Sequence, residues 1–132
     1  IELSAQTQKV TKENNSSLVI PDDDPSGIGS SISFSERGTV QSIELLADIS
    51  HTYIGDLRVE LIAPSGERAI LHNKTGGGTD NLSLEIKSAE SAELGALAGE
   101  PLHGAWVLRV ADLEELDTGT LNRWSLQMTY VE

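Results

Sequence analysis

Along most of the chain, apolar and polar residues alternate with a period of two, which is typical of strands that bury one face. In the C-terminal part, Trp124, Leu126 and Met128 fall on one face, and Ser125 and Gln127 fall on the other. The segments with this pattern are 39–49, 57–63, 105–111 and 121–130. They predict four strands, each with one face in a core.

Shorter strands are predicted at 28–34, 67–72 and 82–87, and the turn at 64–66 predicts a hairpin. Helical character is confined to 88–97, where Gly95 and Gly99 limit a helix to about two turns. Many short strands joined by glycine-rich turns indicate an all-β fold. The expected architecture is an antiparallel β-sandwich of the jelly-roll type.

The first seventeen residues are polar and show little periodicity. They predict either a linker or a weakly attached leading strand, and the composition favours a plain tether. The domain itself is expected to span 18–132.

The amino-acid composition limits the number of domains and the kinds of partner that are expected. The 132 residues are 38% hydrophobic, which suits one domain with one core. The net charge of −12 argues against nucleic acid or an anionic membrane as a partner, because both attract clustered Lys and Arg. No run of 18 apolar residues is present, and Cys is absent. Because Ile1 is not an initiator Met, we expect the chain to be part of something larger.

Aspartate is concentrated in particular loops. If every connection reverses the chain direction, segments 21–27, 50–56, 73–82 and 112–119 meet at one end of the sandwich. Short carboxylates on irregular backbone are the ligands that Ca²⁺ prefers, although Asp also occurs in turns for purely local reasons. The hypothesis is a Ca²⁺ site at this end, and its candidate ligands are Asp22, Asp24, Asp56, Asp80, Asp112 and Asp117.

Catalytic signatures are weak. The three histidines, His51, His72 and His103, have no two-His metal spacing, and neither GxSxG nor HExxH occurs. We therefore expect no catalytic residues, and we expect His51 to be a loop residue that bonds backbone or a carboxylate. The triple glycine at 76–78 lacks the Lys of a phosphate-binding loop.

Taken together, several motifs resemble the P domain, or P/Homo B domain, of proprotein convertases. In chain order they are IPDDDPSGI at 20–28, HTYIGDL at 51–57, LIAPSG at 61–66, LH at 71–72, GG at 76–77, DNL at 80–82, GAWVLRVAD at 104–112 and DTGTLNRWSL at 117–126. Segment 88–100 carries no motif of that family, and the GTSxS segment of a subtilisin-like protease is not in this chain.

The resemblance implies a jelly roll of the galactose-binding-domain-like type, C-terminal to a kexin-like, subtilisin-family serine protease. In bacteria a secreted metalloprotease is the other possible parent. The domain would be non-catalytic and would assist the folding, stability and calcium response of the catalytic domain in the same polypeptide. The lack of Cys and the acidic composition suit a bacterial, secreted member.

A second reading stays open, namely a module that binds carbohydrate or a protein substrate. A carbohydrate module would need a solvent-facing aromatic platform, and Tyr53 is the one aromatic residue that the strand pattern leaves outside the core. Leu46, Ile62 and Ile70 face away from the core and are candidates for a docking surface.

Overall fold

The computed structural model describes residues 7–116 and 118–132, and in this part of the chain nine strands form two antiparallel sheets. The strands are β1 (Thr7–Asn14), β2 (Leu18–Ile20), β3 (Asp24–Phe34), β4 (Thr39–His51), β5 (Leu57–Ile62), β6 (Arg68–Asn73), β7 (Leu82–Lys87), β8 (Gly104–Asp112) and β9 (Gly119–Val131). One α-helical turn, α1 (Ala92–Gly95), and two 3₁₀ turns, Ile54–Asp56 and Ser88–Glu90, complete the described elements.

Sheet A has the strand order β1-β9-β4-β7, with β2 also paired to β9, and sheet B has the order β3-β8-β5-β6. All of these pairs are antiparallel. The chain passes repeatedly from one sheet to the other, which is the jelly-roll arrangement. The predicted fold class is confirmed.

The core lies between the two sheets and is built by the period-two pattern. Leu45 of β4, Leu61 of β5, Leu108 of β8 and Leu126 of β9 are all fully buried. Each fully buried Leu side chain stabilises the fold by about 2 kcal/mol relative to an exposed one. Every strand that the alternation predicted thus turns its apolar face inward.

The leading segment takes part in the sandwich. β1 pairs with β9 from Thr7 to Asn14, and Lys12 reaches across to sheet B. The Lys12 ammonium lies 5.1 Å from the ring centroid of Phe34 and 3.3 Å from a Glu36 carboxylate oxygen. Residues 7–14 therefore form an edge strand and not a tether.

The predicted two-turn helix at 88–97 is wrong. The structure has a 3₁₀ turn at Ser88–Glu90 and a separate helical turn at Ala92–Gly95. Ser91 lies between them with an extended backbone, and its hydroxyl accepts a hydrogen bond from the Leu94 N–H. This serine acts as an N-cap, so it starts a new turn where the composition predicted continuation.

The two tryptophans make different polar contacts in the core. Trp106 donates its indole N–H to the Leu102 carbonyl at 2.9 Å. Trp124 of sheet A donates to the hydroxyl of Ser30 in sheet B at 2.8 Å, and both of these side chains are buried. The second bond crosses the sandwich, and Ser30 is the only hydrogen-bond acceptor of that indole among the described residues.

Replacing Ser30 with Ala should leave the Trp124 N–H buried without an acceptor and lower the free energy of unfolding by about 1–3 kcal/mol. Ser31→Ala, one residue along the same strand and exposed, should change it by less than about 0.5 kcal/mol. Urea unfolding followed by tryptophan fluorescence measures both. Equal effects of the two variants would show that the inter-sheet bond contributes nothing.

Candidate functional site

Four segments meet at one end of the sandwich, and this end, the loop pole, comprises residues 21–24, 50–56, 73–81 and 112–116. The strand ladders bring the segments together. Asp112, the last residue of β8, lies opposite Asp24 of β3 on one side and Leu57 of β5 on the other. His51, the last residue of β4, lies opposite Gly119 of β9. Strand ends from both sheets therefore converge here.

A buried polar pair lies at the centre of the loop pole. Nε2 of His51, in sheet A, is 2.9 Å from Oδ2 of Asp112, in sheet B, and neither side chain is exposed to solvent. Oδ1 of Asp112 accepts a second hydrogen bond, at 3.1 Å, from the Glu114 N–H. Both carboxylate oxygens are thus used inside the protein.

The other nitrogen of His51 fixes its tautomer. The Tyr53 N–H donates to Nδ1 at 3.0 Å, so Nδ1 carries no proton. The imidazole proton is therefore on Nε2 and is donated to Asp112. Because both ring nitrogens are engaged and buried, His51 positions the loops and does not face a substrate.

Backbone bonds join two loops of the pole to each other. The His51 N–H donates to the Asn81 side-chain oxygen at 3.1 Å, and the Asn81 N–H donates to the His51 carbonyl at 2.8 Å. Farther along, the Gly55 N–H donates to the Gly77 carbonyl at 2.9 Å. A Cβ at position 55 would lie 2.9 Å from that same carbonyl oxygen, so only glycine allows this approach.

Gly119 makes space for the histidine. A Cβ at this position would lie 2.3 Å from the Ser50 carbonyl oxygen and 2.5 Å from Cδ2 of His51. The HTYIGDL and GGG segments and Gly119 are therefore parts of one packed unit around His51.

The remaining histidines lie apart from this pair. His72 is buried in β6 and donates from Nε2 to the Ile54 carbonyl at 2.9 Å, while Thr75 lies 3.4 Å from its Nδ1. His103 is exposed. His72 thus supports the Ile54–Asp56 turn.

A family model described as the proprotein convertase P-domain matches residues 40–128, more than half of the chain. The chain belongs to the proprotein convertase P-domain family.

Relatives of this P domain are bacterial proteases. It is 36% identical over 104 residues to a calcium-dependent protease of Nostoc sp. (strain PCC 7120), covering 76% of this chain and 16% of that protein. It is 30% identical over 115 residues to a transglutaminase-activating metalloprotease of Streptomyces mobaraensis, covering 86% and 14%. It is 31% identical over 90 residues to a microbial serine proteinase of Aeromonas salmonicida, covering 57% and 14%.

A solved structure has the same fold. The crystal structure of the serine protease of Aeromonas sobria superposes with a TM-score of 0.74 at 18% identity, covering 98% of this chain and 28% of that one. The P domain therefore spans only a small part of the proteins that it matches.

The predicted calcium ligands in the described part of the P domain all lie at the loop pole, but their environments differ. Asp112 is fully used by His51 and Glu114, and Asp56 is buried. Asp24 accepts from the Ser26 N–H at 3.0 Å, and Asp22 accepts from the Leu116 N–H at 3.2 Å. Asp80 is exposed, and Asp117 lies outside the described residues.

These carboxylates do not by themselves form a metal centre. Within residues 7–116 and 118–132, no three His, Cys, Asp or Glu side chains lie close enough together to hold an ion. Both carboxylate oxygens of Asp112 in particular already accept hydrogen bonds from within the protein. The described side chains alone do not complete a calcium site, Asp117 lies outside the described residues, and calcium stays a prediction.

One exposed ion pair joins two loops of the pole. The Lys74 ammonium lies 2.7 Å from a Glu114 carboxylate oxygen. This hydrogen bond, and then the charge of Glu114, raise the pKa of Lys74 above its usual value. The pair is solvent-exposed and adds little to stability.

Two functional residues of the fold have weak sequence signals. The expectation that His51 bonds backbone or a carboxylate is confirmed, but its partner, Asp112, lies 61 residues away and follows only from the ladder register. Glu60 lies on the outward side of β5, beside Arg109 and Ile70, yet it is only 2% exposed. No described helix is long and apolar enough to cross a membrane.

The His51–Asp112 pair predicts strong coupling between two distant positions. Asp112→Ala should lower the free energy of unfolding by about 3 kcal/mol, because it leaves the Nε2–H buried without an acceptor. His51→Ala should cost a similar amount, and the double variant should lose less than the sum. Urea unfolding measures all three, with the exposed His103→Ala as control. Additive losses would contradict a direct interaction.

Proposed function

We propose that this P domain is a non-catalytic accessory module of a secreted bacterial protease, C-terminal to the catalytic domain, which it stabilises. The observation that carries the proposal is that relatives named as a serine proteinase and as a metalloprotease share this domain. Those two classes use different catalytic groups, so a domain common to both supplies neither group. A subtilisin-like serine protease is the proposed parent, and a metalloprotease is the other class consistent with the relatives.

The geometry of the loop pole supports a non-catalytic role. Its one buried acid–base pair, within the described residues, has no exposed atom. A general base must reach the proton that it abstracts, and His51 does not reach solvent. Its role is to hold loops.

The proposed mechanism is thermodynamic coupling between two domains. A domain interface within one chain typically buries roughly 600–1,500 Å². Unfolding either partner then exposes that surface, so the catalytic domain unfolds less readily while the P domain is folded. Folding and stability of the protease would depend on this module without any chemical step here.

The aromatic residues disfavour the carbohydrate-binding alternative. All five of them lie in the described part of the chain, and four, Phe34, Trp106, Trp124 and Tyr130, are at most 5% exposed. Tyr53 alone is exposed, at 42%. A single ring is a poor platform for stacking a sugar chain, and nothing observed favours that function.

We also propose that calcium stabilises the domain through the loop pole. Two points support this: relatives named as calcium-dependent proteases, and the concentration of carboxylates at one end of an acidic molecule. An ion that binds only the folded state stabilises it by about 2.7 kcal/mol at a hundred times its dissociation constant.

Thermodynamic coupling between the two domains predicts that a substitution that destabilises the P-domain core also lowers the heat stability of the whole protease. Leu126→Ala removes a fully buried side chain and should cost the domain about 2–5 kcal/mol. In the full-length protein it should lower the temperature at which protease activity is lost, whereas the exposed Leu46→Ala should not. The measurement is residual activity after heating. An unchanged inactivation temperature in Leu126→Ala would contradict the accessory role.

The calcium proposal predicts a melting temperature that depends on the ion. Added Ca²⁺ should raise the melting temperature of the P domain by several degrees relative to a chelator, which is the shift expected for about 1–2 kcal/mol in a domain of this size. Asp80→Ala should reduce the shift, and Asp48→Ala on the outer face of sheet A should not. No difference between Ca²⁺ and chelator in the unsubstituted domain would remove calcium from this site.

A further inference from the structure

The outer face of sheet B differs from the rest of the surface. Its central residues form two cross-strand rows: Arg109, Glu60 and Ile70 lie side by side, as do Val107, Ile62 and Arg68. These six residues are named the arginine face. They come from β5, β6 and β8, whose inner faces build the core, so the scaffold under them is rigid.

The charge of the arginine face is opposite to that of the molecule. The chain carries a net charge of −12, yet this face places Arg68 and Arg109 around one carboxylate, Glu60. The outer face of sheet A instead mixes both signs of charge, with Glu44, Asp48 and Glu85 next to Lys87 and Arg123. A local cationic patch on an acidic protein selects for an acidic partner surface.

Glu60 is the unusual member of the face. Its side chain is 3% exposed, although it points away from the core, and both arginines lie beside it. Oε2 lies 3.5 Å from Arg68 and Oε1 lies 3.7 Å from Arg109. Among residues 7–116 and 118–132, no group donates a hydrogen bond to Oε1. A buried carboxylate oxygen without a donor is costly, and a donor from another surface would relieve that cost.

Apolar side chains surround this charged group. Ile70 is 42% exposed, and Ile62 and Val107 are half-buried beside it. Arginine beside apolar side chains is typical of the buried part of protein interfaces, where Arg is enriched and the other charged residues are depleted.

We propose that the arginine face is the surface that docks onto the catalytic domain of the same polypeptide. The partner surface presents carboxylates to Arg68 and Arg109, an apolar patch to Ile70, and one hydrogen-bond donor to Oε1 of Glu60. This inference rests on the proposed accessory function and adds the location and chemistry of the interface.

The two other large surfaces are less suited to this role. On the outer face of sheet A, Lys87 lies opposite Glu44 and Arg123 lies 3.6 Å from Asp48, so the cations there already have carboxylates of the same domain beside them. The polar groups at the centre of the loop pole are satisfied by each other. On the arginine face, by contrast, a fully buried polar atom still lacks a donor.

The test uses two matched positions on opposite faces. Ile70 is 42% exposed and Leu46 is 44% exposed, and this domain has no Cys of its own. Ile70→Cys and Leu46→Cys are made separately in the full-length protease, with the active site inhibited. Both are labelled with a maleimide, and the rate is followed by mass spectrometry of the peptide that carries the new Cys.

In the docked protein, Ile70→Cys should label at least about tenfold more slowly than Leu46→Cys, since labelling requires the interface to open. Adding Arg68→Glu should remove most of that protection. The matched reversal Arg123→Glu, on the outer face of sheet A, should leave it unchanged.

Equal labelling rates at the two positions would overturn the inference. Slow labelling of Leu46→Cys instead would show docking through sheet A, which refutes the arginine face while the accessory function stands. The accessory function itself is decided separately, by the heat-inactivation temperature of the Leu126→Ala protease.

Discussion

The arrangement of the loop pole depends on one hydrogen bond, from Nε2 of His51 to Asp112, which joins the last residue of a sheet A strand to the last residue of a sheet B strand. Sheets in a sandwich share no backbone ladder, so polar contacts between them are few and each fixes relative position. Tyr53 selects the tautomer, and Gly119 provides the space. Loops that carry several carboxylates are thereby held in one arrangement.

Much of this fold could be predicted from the sequence, because the alternation has a direct physical cause. A half-buried strand must turn every second side chain inward. The burial of positions such as Leu45, Leu61 and Leu108 can therefore be predicted from the alternation of apolar and polar residues. The end of the sandwich at which each loop lies also followed, since antiparallel strands reverse direction at every connection. Both inferences need only local pattern and chain order.

What the sequence left open depends on contacts between distant residues. Asp112 and Asp80 are equivalent as residue types, but one is fully buried against His51 and the other is exposed. Their difference comes from ladder register, which composition does not encode. Residues 7–14 gave no apolar alternation because an edge strand has little to bury, and Ser91 stopped a helix through a capping bond that propensity alone does not show.

Burial of a carboxylate therefore has two meanings in this molecule. Asp112 is buried and both of its carboxylate oxygens accept hydrogen bonds, as is usual for a buried polar group with a structural role. Glu60 is buried with one oxygen lacking a donor, on a face that turns away from the core. Within the isolated domain, Arg68 at 3.5 Å and Arg109 at 3.7 Å offset part of the desolvation cost of this carboxylate, but Oε1 has no hydrogen bond from the described residues. The cost is recovered once a neighbouring surface supplies the donor, and this places the functional surface of the domain on the side of sheet B and away from its loops.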